Sequence, residues 1–310
     1  MASAQDIASL NRVFSDAFTD RYRRDGLVGV RVPQLNPDIW RYAVLDAGDG
    51  AMLWTDERDD IVAFNIVHCS GGEGWMGPLA VRTDRQGFGI GRVIVETALE
   101  WLRERHVTTL GLETMPRTVE NIGFYGQLGF QPGHLTVTMT GEASRRRVAG
   151  EALRLTELED EERAAVRARC RDRIDAAAPG YDFTREIELT RELEIGDTVV
   201  IERDGAVSGF ALYHSAPLAA GRPAEELRVL KLFADSEDTF GRLLVLLEAA
   251  AAQHRLKRVA IRCQTAYHSA YRALLGRGYR VRWTDLRMTL HDFPEARPPR
   301  GEILFSNWEI

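Results

Sequence analysis

The chain has 310 residues, 45% hydrophobic and 28% charged, with a formal net charge of −6. This composition is typical of a globular protein with enough residues for two cores, and the acidic balance without a basic block argues against nucleic acid as a partner. No apolar run has transmembrane length and no signal-peptide pattern opens the sequence, so we expect no membrane partner and a cytoplasmic location. The three cysteines are far apart and form no C-x-x-C pair, which predicts neither disulfides nor a metal site.

The first predicted element is an amphipathic helix from Asp6 to Phe18, with apolar residues at helical spacing and Asp6 as a candidate cap. The basic segment RYRRDGLVGV follows it. Three strand-like runs come next, AMLWT, DIVAFNIVHCS and GWMGPLAV, separated by turn residues. These runs predict an antiparallel meander.

A glycine-rich loop follows the third strand, within the stretch Gly77 to Arg92. Gly87, Gly89 and Gly91 alternate along it, so the backbone can approach a ligand closely. The apolar spacing that begins at Ile90 predicts a helix, and the N-terminus of a helix favours a phosphate group. Arg85 and Arg92 add positive charge. The loop is therefore predicted to bind an anion.

Spacing separates three kinds of phosphate-binding loop. No Gly-Lys-Ser/Thr follows, which excludes a P-loop. A dinucleotide fingerprint needs its third glycine one residue later than this sequence has it. The pattern that remains is Q-x-x-G-x-G, formed by Gln86, Gly89 and Gly91.

The rest of the first half continues as strand, helix and strand. VTTLGLET is a predicted buried strand, Thr118 to Gln127 a predicted helix, and HLTVTMT a predicted closing strand. The motif FYGQLGF spans Phe124 to Phe130. GEASRRRVAG is small, polar and basic, and it is predicted to be a linker.

The second half repeats the first. KRVAIRCQT matches HVTTLGLET, YRALLGRGYRV matches the FYGQLGF region, and LRMTL matches TVTMT at a nearly constant offset. Such an offset indicates an internal duplication.

The Q-x-x-G-x-G loop, the strand Pro78 to Val81 before it and FYGQLGF together resemble the GNAT superfamily of N-acetyltransferases, and the duplication resembles tandem members. The resemblance covers essentially the whole chain. It implies an α+β fold with two GNAT-like units, each a mixed, mostly antiparallel sheet flanked by helices. We expect the units at 1–141 and 151–310, with a linker at 142–150, and call them the first and second units.

The resemblance further implies acetyl-CoA as the acetyl donor. The residues implied to bind it are Leu79, Ala80, Val81, Arg85, Gln86, Gly87, Phe88, Gly89, Ile90, Gly91, Arg92 and Asn121. Tyr125 matches the family's tyrosine near the thioester, where it would give a proton to the leaving thiolate. Many members have an Asn seven residues before this tyrosine. Thr118 stands there and Asn121 one helical turn later, so the role of either is open.

A base must also take a proton from the acceptor amine. Glu113, at the end of the strand that diverges from the Val81 strand in this fold, is the first candidate. His68, Glu73 and a water wire to solvent are the others. A backbone N–H near Val81 would stabilise the oxyanion. Neither a metal nor a covalent enzyme intermediate is expected.

The second unit has lost these features. Asp238, Gly241 and Leu243 stand where the first unit has Gln86, Gly89 and Gly91 of its glycine-rich loop. Neighbouring acidic residues replace the arginines of that loop, and Leu274 replaces Tyr125. Negative charge opposes a polyphosphate, so one coenzyme A per chain is expected.

The expected acceptor is a small-molecule amine or a peptide amine, and a homodimer is one possible assembly. The segment RYRRDGLVGV either helps to shape the acceptor pocket, as its place in the family implies, or is a solvated loop. The rival hypothesis is a non-catalytic acyl-CoA-binding or regulatory scaffold.

The C-terminal tail offers a further hypothesis. Ile303 to Trp308 either crosses to pair with the first unit's sheet or forms a final strand in the second unit's own sheet. Ile303 and Phe305 would point to one face, and Leu304 and Trp308 to the other. A more ambitious variant places the Ile310 carboxylate near the acceptor as a base.

Overall fold

A computed structural model describes residues 1–145 and 152–308. Within these residues the helices are α1 (Ile7–Arg24), α2 (Pro37–Ala47), α3 (Ile90–Glu104), α4 (Val119–Gln127), α5 (Asp160–Ala177), α6 (Thr184–Glu192), α7 (Glu237–Gln253) and α8 (His268–Gly276). The strands are β1 (Ala51–Thr55), β2 (Ile61–Ser70), β3 (Glu73–Val81), β4 (Thr109–Thr114), β5 (Phe130–Glu142), β6 (Ala152–Arg154), β7 (Gly196–Arg203), β8 (Ala206–His214), β9 (Glu226–Ala234), β10 (Arg258–Gln264), β11 (Arg280–Leu290) and β12 (Ile303–Ser306). Most of the predicted linker lies outside the described residues.

The strands form one continuous sheet in the order β1-β2-β3-β4-β11-β5-β10-β9-β8-β7-β6, with β12 paired to β9. The pairs β3–β4 and β9–β10 are parallel, whereas the other pairs are antiparallel. The predicted meander is β1 to β3. The predicted α+β fold of two GNAT-like units with mixed, mostly antiparallel sheets is confirmed.

The two units exchange strands at the centre of the sheet. The expectation that HLTVTMT closes the first unit is wrong, because β5 lies between β11 and β10. The strand β11 pairs with β4 of the first unit, with Met288 opposite Leu112. Burial explains the exchange: Met288 packs into a first-unit core with Leu112, while Val137 and Met139 of β5 pack into a second-unit core. Each core is therefore completed by the other unit.

Two elements near the N-terminus differ from the sequence prediction. The helix α1 continues to Arg24, so the first four residues of RYRRDGLVGV are helical. The helix α2 was not predicted, although its signals are local: the Asn36 side chain accepts a hydrogen bond from the Asp38 N–H, and Pro37 occupies the first turn. None of the described helices is long and apolar enough to span a membrane.

The C-terminal tail is a strand of the second unit. The hypothesis that it pairs with the first unit's sheet is wrong, since β12 is antiparallel to β9, with Ile303 opposite Ala234 and Ser306 opposite Lys231. The predicted facing holds within the strand, because Ile303 and Phe305 join one core and Leu304 joins another. Trp308, predicted to share the face of Leu304, lies beyond the strand and packs against His68 and Trp75. The Ile310 carboxylate lies outside the described residues.

Candidate active site

The site begins where β3 and β4 part. They pair only from Glu73 with Thr109 to Met76 with Leu112, and β3 then has one extra residue relative to β2 at Gly77–Pro78. Bulges of this kind bend a strand away from its neighbour. Within residues 1–145 and 152–308, no strand pairs with Pro78–Val81 on the side facing β4. The backbone groups of this segment can therefore hydrogen-bond an extended ligand.

A cavity of about 340 Å³ occupies the gap between the two strands. It is lined by parts of α1, β3, β4, α4 and β11. Seven of the predicted site residues line it: Leu79, Ala80, Val81, Gln86, Glu113, Asn121 and Tyr125. The structure thus brings the predicted strand, helix and carboxylate residues around one space.

The glycine loop lies between β3 and α3. Gly87 and Gly89 have φ of +84° and +81°, a conformation that side chains disfavour, and a Cβ added at either would meet no atom within 4 Å. Gly89 directly precedes α3. Five other predicted residues belong to the loop or to the start of α3 and do not line the cavity: Arg85, Phe88, Ile90, Gly91 and Arg92. The loop thus leaves open space around its glycines at a helix N-terminus, an arrangement that favours an anion.

Two polar side chains join this loop and α4 to their surroundings. The Gln86 amide donates to the carbonyl of Val81 at 3.0 Å, which fixes the loop against the strand. Thr118 is buried and donates to Asp25 of the turn after α1 at 2.5 Å, away from the cavity lining. Asn121 lines the cavity, with its amide 3.3 Å from the Thr114 hydroxyl. Of the two residues that the sequence left open, Asn121 is the one beside the gap.

Tyr125 projects from α4 into the cavity lining. Its ring lies 5.1 Å from that of Phe124 and 6.0 Å from that of Phe130, measured between centroids. Burial raises the pKa of Tyr125 to about 12. The phenol is therefore protonated at neutral pH and can donate a proton or a hydrogen bond.

The geometry argues against Glu113 as a base. Its carboxylate accepts hydrogen bonds from the Arg287 guanidinium at 2.8 Å, from the Thr136 hydroxyl at 2.5 Å, and from Arg262. Burial opposes the charge, but Arg262 and Arg287 together hold the pKa of Glu113 below its usual value. A carboxylate stabilised in this way is a weak proton acceptor. Both arginines come from the second unit, which is why the first unit's sequence gave no hint of them.

The other predicted base candidates differ in access. Glu73 is fully buried and accepts hydrogen bonds from Trp75 at 2.8 Å and Ser306 at 2.6 Å. It lines neither the cavity between β3 and β4 nor the cavity beside it that His68 lines. His68 has its Nδ1 2.5 Å from the Asp46 carboxylate, and its buried Nε2 has no hydrogen-bond partner among the described residues. His68 lines a second cavity.

This second cavity has a volume of about 210 Å³ and adjoins the first. Six residues line both cavities: Phe18, Met76, Gly77, Pro78, Glu113 and Asp285. The second cavity is completed by His68, Trp75, Arg262 and Trp308. Aromatic side chains from both units thus surround a space that meets the first cavity at the bulge of β3.

Asp285 of β11 lies at this junction, and the sequence analysis did not predict it as a site residue. Its carboxylate accepts hydrogen bonds from Arg262 at 3.0 Å and from the Trp283 indole N–H at 3.1 Å. Burial raises the pKa of Asp285 to about 6, although Arg262 opposes the shift. Asp285 reaches the first unit only through strand exchange, so no local motif could have indicated it.

The second unit offers no comparable site in the described residues. The helix α7 begins at Glu237, three residues after β9 ends, so there is no glycine loop, and Ser236 caps the helix. The gap between β9 and β10 is filled by β12. Leu274 is fully buried in the core. The described residues also contain no group of three or more His, Cys, Asp or Glu side chains suited to a metal ion.

A parted parallel strand pair, a glycine loop and a helix N-terminus thus lie together beside the first cavity. The model of the acetyltransferase (GNAT) family matches residues 13–130. No curated protein sequence matches the chain.

Solved structures share the two-unit fold over nearly the whole chain. A candidate acetyltransferase from Pyrococcus horikoshii is 19% identical with a TM-score of 0.70, covering 99% of this chain and 92% of its own. A tandem GNAT protein from the clavulanic acid biosynthesis pathway is 15% identical with a TM-score of 0.59, covering 95% and 98%. The N-myristoyltransferase of Saccharomyces cerevisiae, with bound myristoyl-CoA, is 10% identical with a TM-score of 0.65, covering 96% and 82%. The chain thus shares its fold with these structures.

Proposed function

We propose that the chain is an acetyl-CoA-dependent N-acetyltransferase that acts on a primary amine. The observation that supports this best is the meeting of two cavities at Gly77–Pro78. The first runs along the unpaired edge of β3 toward the glycine loop, as an extended thioester substrate requires. The second opens beside Asp285 and is suited to an amine.

The donor would lie along Leu79–Val81, with its pyrophosphate at the glycine loop. The backbone of Pro78–Val81 would hydrogen-bond the pantetheine amides, and Asn121 would add a side-chain contact. The N–H groups from Gly87 to Gly91 would hold the phosphates. Arg85 and Arg92 are already near carboxylates, 3.6 Å from Asp56 and 3.3 Å from Glu96, so we assign them to general attraction of the anion.

In the reaction the amine nitrogen forms a bond to the acetyl carbon, and the carbon–sulfur bond breaks. Tyr125 would give its proton to the departing sulfur, which its raised pKa allows because the phenol stays protonated until then. A backbone N–H near Val81 would stabilise the negative charge on the acetyl oxygen. The amine must also lose a proton.

We assign this proton to Asp285 in place of Glu113. Asp285 lines both cavities, and Arg262 and Trp283 fix its carboxylate. The charged groups around it are Arg262 and Glu113, and the Tyr22 phenol also interacts with it. A carboxylate with a pKa of about 6 accepts a proton more readily than one held low by two guanidinium groups.

Asp285→Asn should lower kcat/KM for an aliphatic amine about 100-fold at pH 7, the low end of the range for a general base. In the wild type kcat/KM should rise as the pH passes through about 6, because Asp285 must be deprotonated to act. The variant should lack this limb of the pH profile. The loss of kcat/KM should be smaller for trifluoroethylamine, which is largely neutral at pH 7.

Asp292→Asn, an exposed change just after β11, is the control. An unchanged pH profile in Asp285→Asn would remove Asp285 from this role.

The proposal as a whole is tested by release of free thiol from acetyl-CoA with a panel of small amines and peptide N-termini. We expect release that depends on the amine and yields an N-acetylated product. The rival scaffold function would give tight acetyl-CoA binding without acetyl transfer to any of these acceptors.

A further inference from the structure

The second unit contains the same strand geometry as the active site, but its gap is filled. The strands β9 and β10 pair from Glu226 with Arg258 to Val229 with Ile261, and β9 then has an extra residue relative to β8. The tail strand β12 pairs with the next segment, Lys231–Ala234. Counted from the last paired residue, this segment corresponds to Pro78–Val81 of β3. The chain's own tail thus lies where the first unit would hold its donor.

The tail is held firmly in this gap. The Asn307 amide donates to the carbonyl of Arg262 at 3.1 Å, its N–H donates to the carbonyl of Leu230 at 2.9 Å, and its side-chain oxygen accepts from Gln264 at 2.7 Å. Asn307 therefore joins β9 to β10 where they diverge. Phe305 is fully buried, with its ring 5.8 Å from that of Phe240. Such packing makes the tail a built part of the second unit.

At the end of β12 the tail contacts the first unit. The Ser306 hydroxyl donates to the Glu73 carboxylate at 2.6 Å and accepts from the buried Lys231 ammonium at 2.8 Å. The Trp308 ring then stacks 5.8 Å from the ring of His68 and lies 5.6 Å from that of Trp75. The Lys231 ammonium also contacts Trp308, at 3.6 Å from the centroid of its ring. Trp308 is 8% exposed and lines the 210 Å³ cavity.

We propose that Trp308 determines acceptor specificity by closing one wall of the acceptor cavity. This inference rests on the proposed function and deepens it. The anchored β12 positions Trp308, so the strand that fills the gap between β9 and β10 also sets the size of the pocket in the first unit.

The walls of the cavity indicate the acceptor class. Phe18, Trp75 and Trp308 give it aromatic surfaces. At the junction with the donor cavity, Asp285 and Glu113 share the Arg262 guanidinium, and Glu113 is also paired with Arg287. A small amine with a flat apolar group next to its amino group matches these features, since the amine would face the Asp285 carboxylate and the apolar group the rings.

Trp308→Ala should enlarge the cavity and favour bulkier amines. We expect the ratio of kcat/KM for naphthylmethylamine to that for benzylamine to rise about tenfold or more, because steric exclusion from an apolar pocket has effects of this order. Trp308→Phe should give an intermediate ratio. The Kd of acetyl-CoA should not change, which separates a pocket effect from general damage, and thermal unfolding of each variant checks its fold.

The same ratio is measured without catalysis, as the calorimetric Kd of the two amines in the presence of excess coenzyme A. A shift of this ratio toward naphthylmethylamine in Trp308→Ala supports the inference even when no acetyl transfer occurs. An unchanged ratio in the binding measurement overturns it. Failure of the proposed function would appear separately, as no thiol release by the wild type with any amine.

Discussion

Tyr125→Phe is expected to lower kcat for acetyl transfer about 100-fold while leaving the Kd of acetyl-CoA unchanged. The substitution removes the only proton that the side chain can give and keeps the ring that packs near Phe124 and Phe130. General acids contribute about 10²–10⁴ in rate, and a thiolate is already a fair leaving group, so the low end applies. Steady-state kinetics with a fixed amine and calorimetry with acetyl-CoA measure the two quantities.

The control is Tyr271→Phe, which makes the same change on α8 of the second unit. It should leave kcat unaltered. If Tyr125→Phe turned over at the wild-type rate on an acceptor that the wild type uses well, Tyr125 would have only a packing role.

Gly89→Glu should weaken acetyl-CoA binding by about 5-fold to 1,000-fold. A carboxylate at the loop would face the pyrophosphate, and one such like-charge contact costs about 1–4 kcal/mol between full water and a partly screened surface. Gly89 also has a φ of +81°, which a side chain disfavours. Calorimetric titration with acetyl-CoA gives the Kd directly.

Two variants separate charge from strain. Gly89→Ala keeps the backbone strain without the charge and should lose much less affinity. Gly241→Glu places the same charge on α7, where an added Cβ meets no atom within 4 Å, and should bind acetyl-CoA as the wild type does. Equal losses in Gly89→Ala and Gly89→Glu would show that conformation, and not the anion, dominates at this loop.

The local features of the fold could be read from the sequence. The alternation of Gly87 and Gly89, the helix that begins at Ile90 and the strand before them are determined by neighbours in the chain, and each lies where it was predicted. The internal repeat likewise predicted two similar units. The helix α2 has equally local signals at Asn36 and Pro37, so it could also have been predicted from the sequence.

The non-local features could not be read in this way. Two similar halves have similar closing strands, so periodicity alone does not decide whether β5 or β11 lies next to β4. This strand order also determines the candidate base. Arg262 and Arg287 of the second unit form ion pairs with Glu113, which makes it a poor base, and β11 places Asp285 beside the site. The tail was correctly identified as a strand, but its partner depended on the free edge of β9.

In the part of the chain that the structure describes, the second unit therefore contributes to the first unit's site and forms no comparable site of its own. It supplies Asp285, Arg262 and Trp308 to the cavities.

The most direct test is the stoichiometry of acetyl-CoA binding to the full chain, measured by isothermal titration calorimetry. We expect one acetyl-CoA per chain, because among the described residues the glycine loop and the open strand edge belong to the first unit, whereas β12 fills the gap between β9 and β10. Two acetyl-CoA molecules per chain, or full binding that persists in Gly89→Glu, would contradict this account.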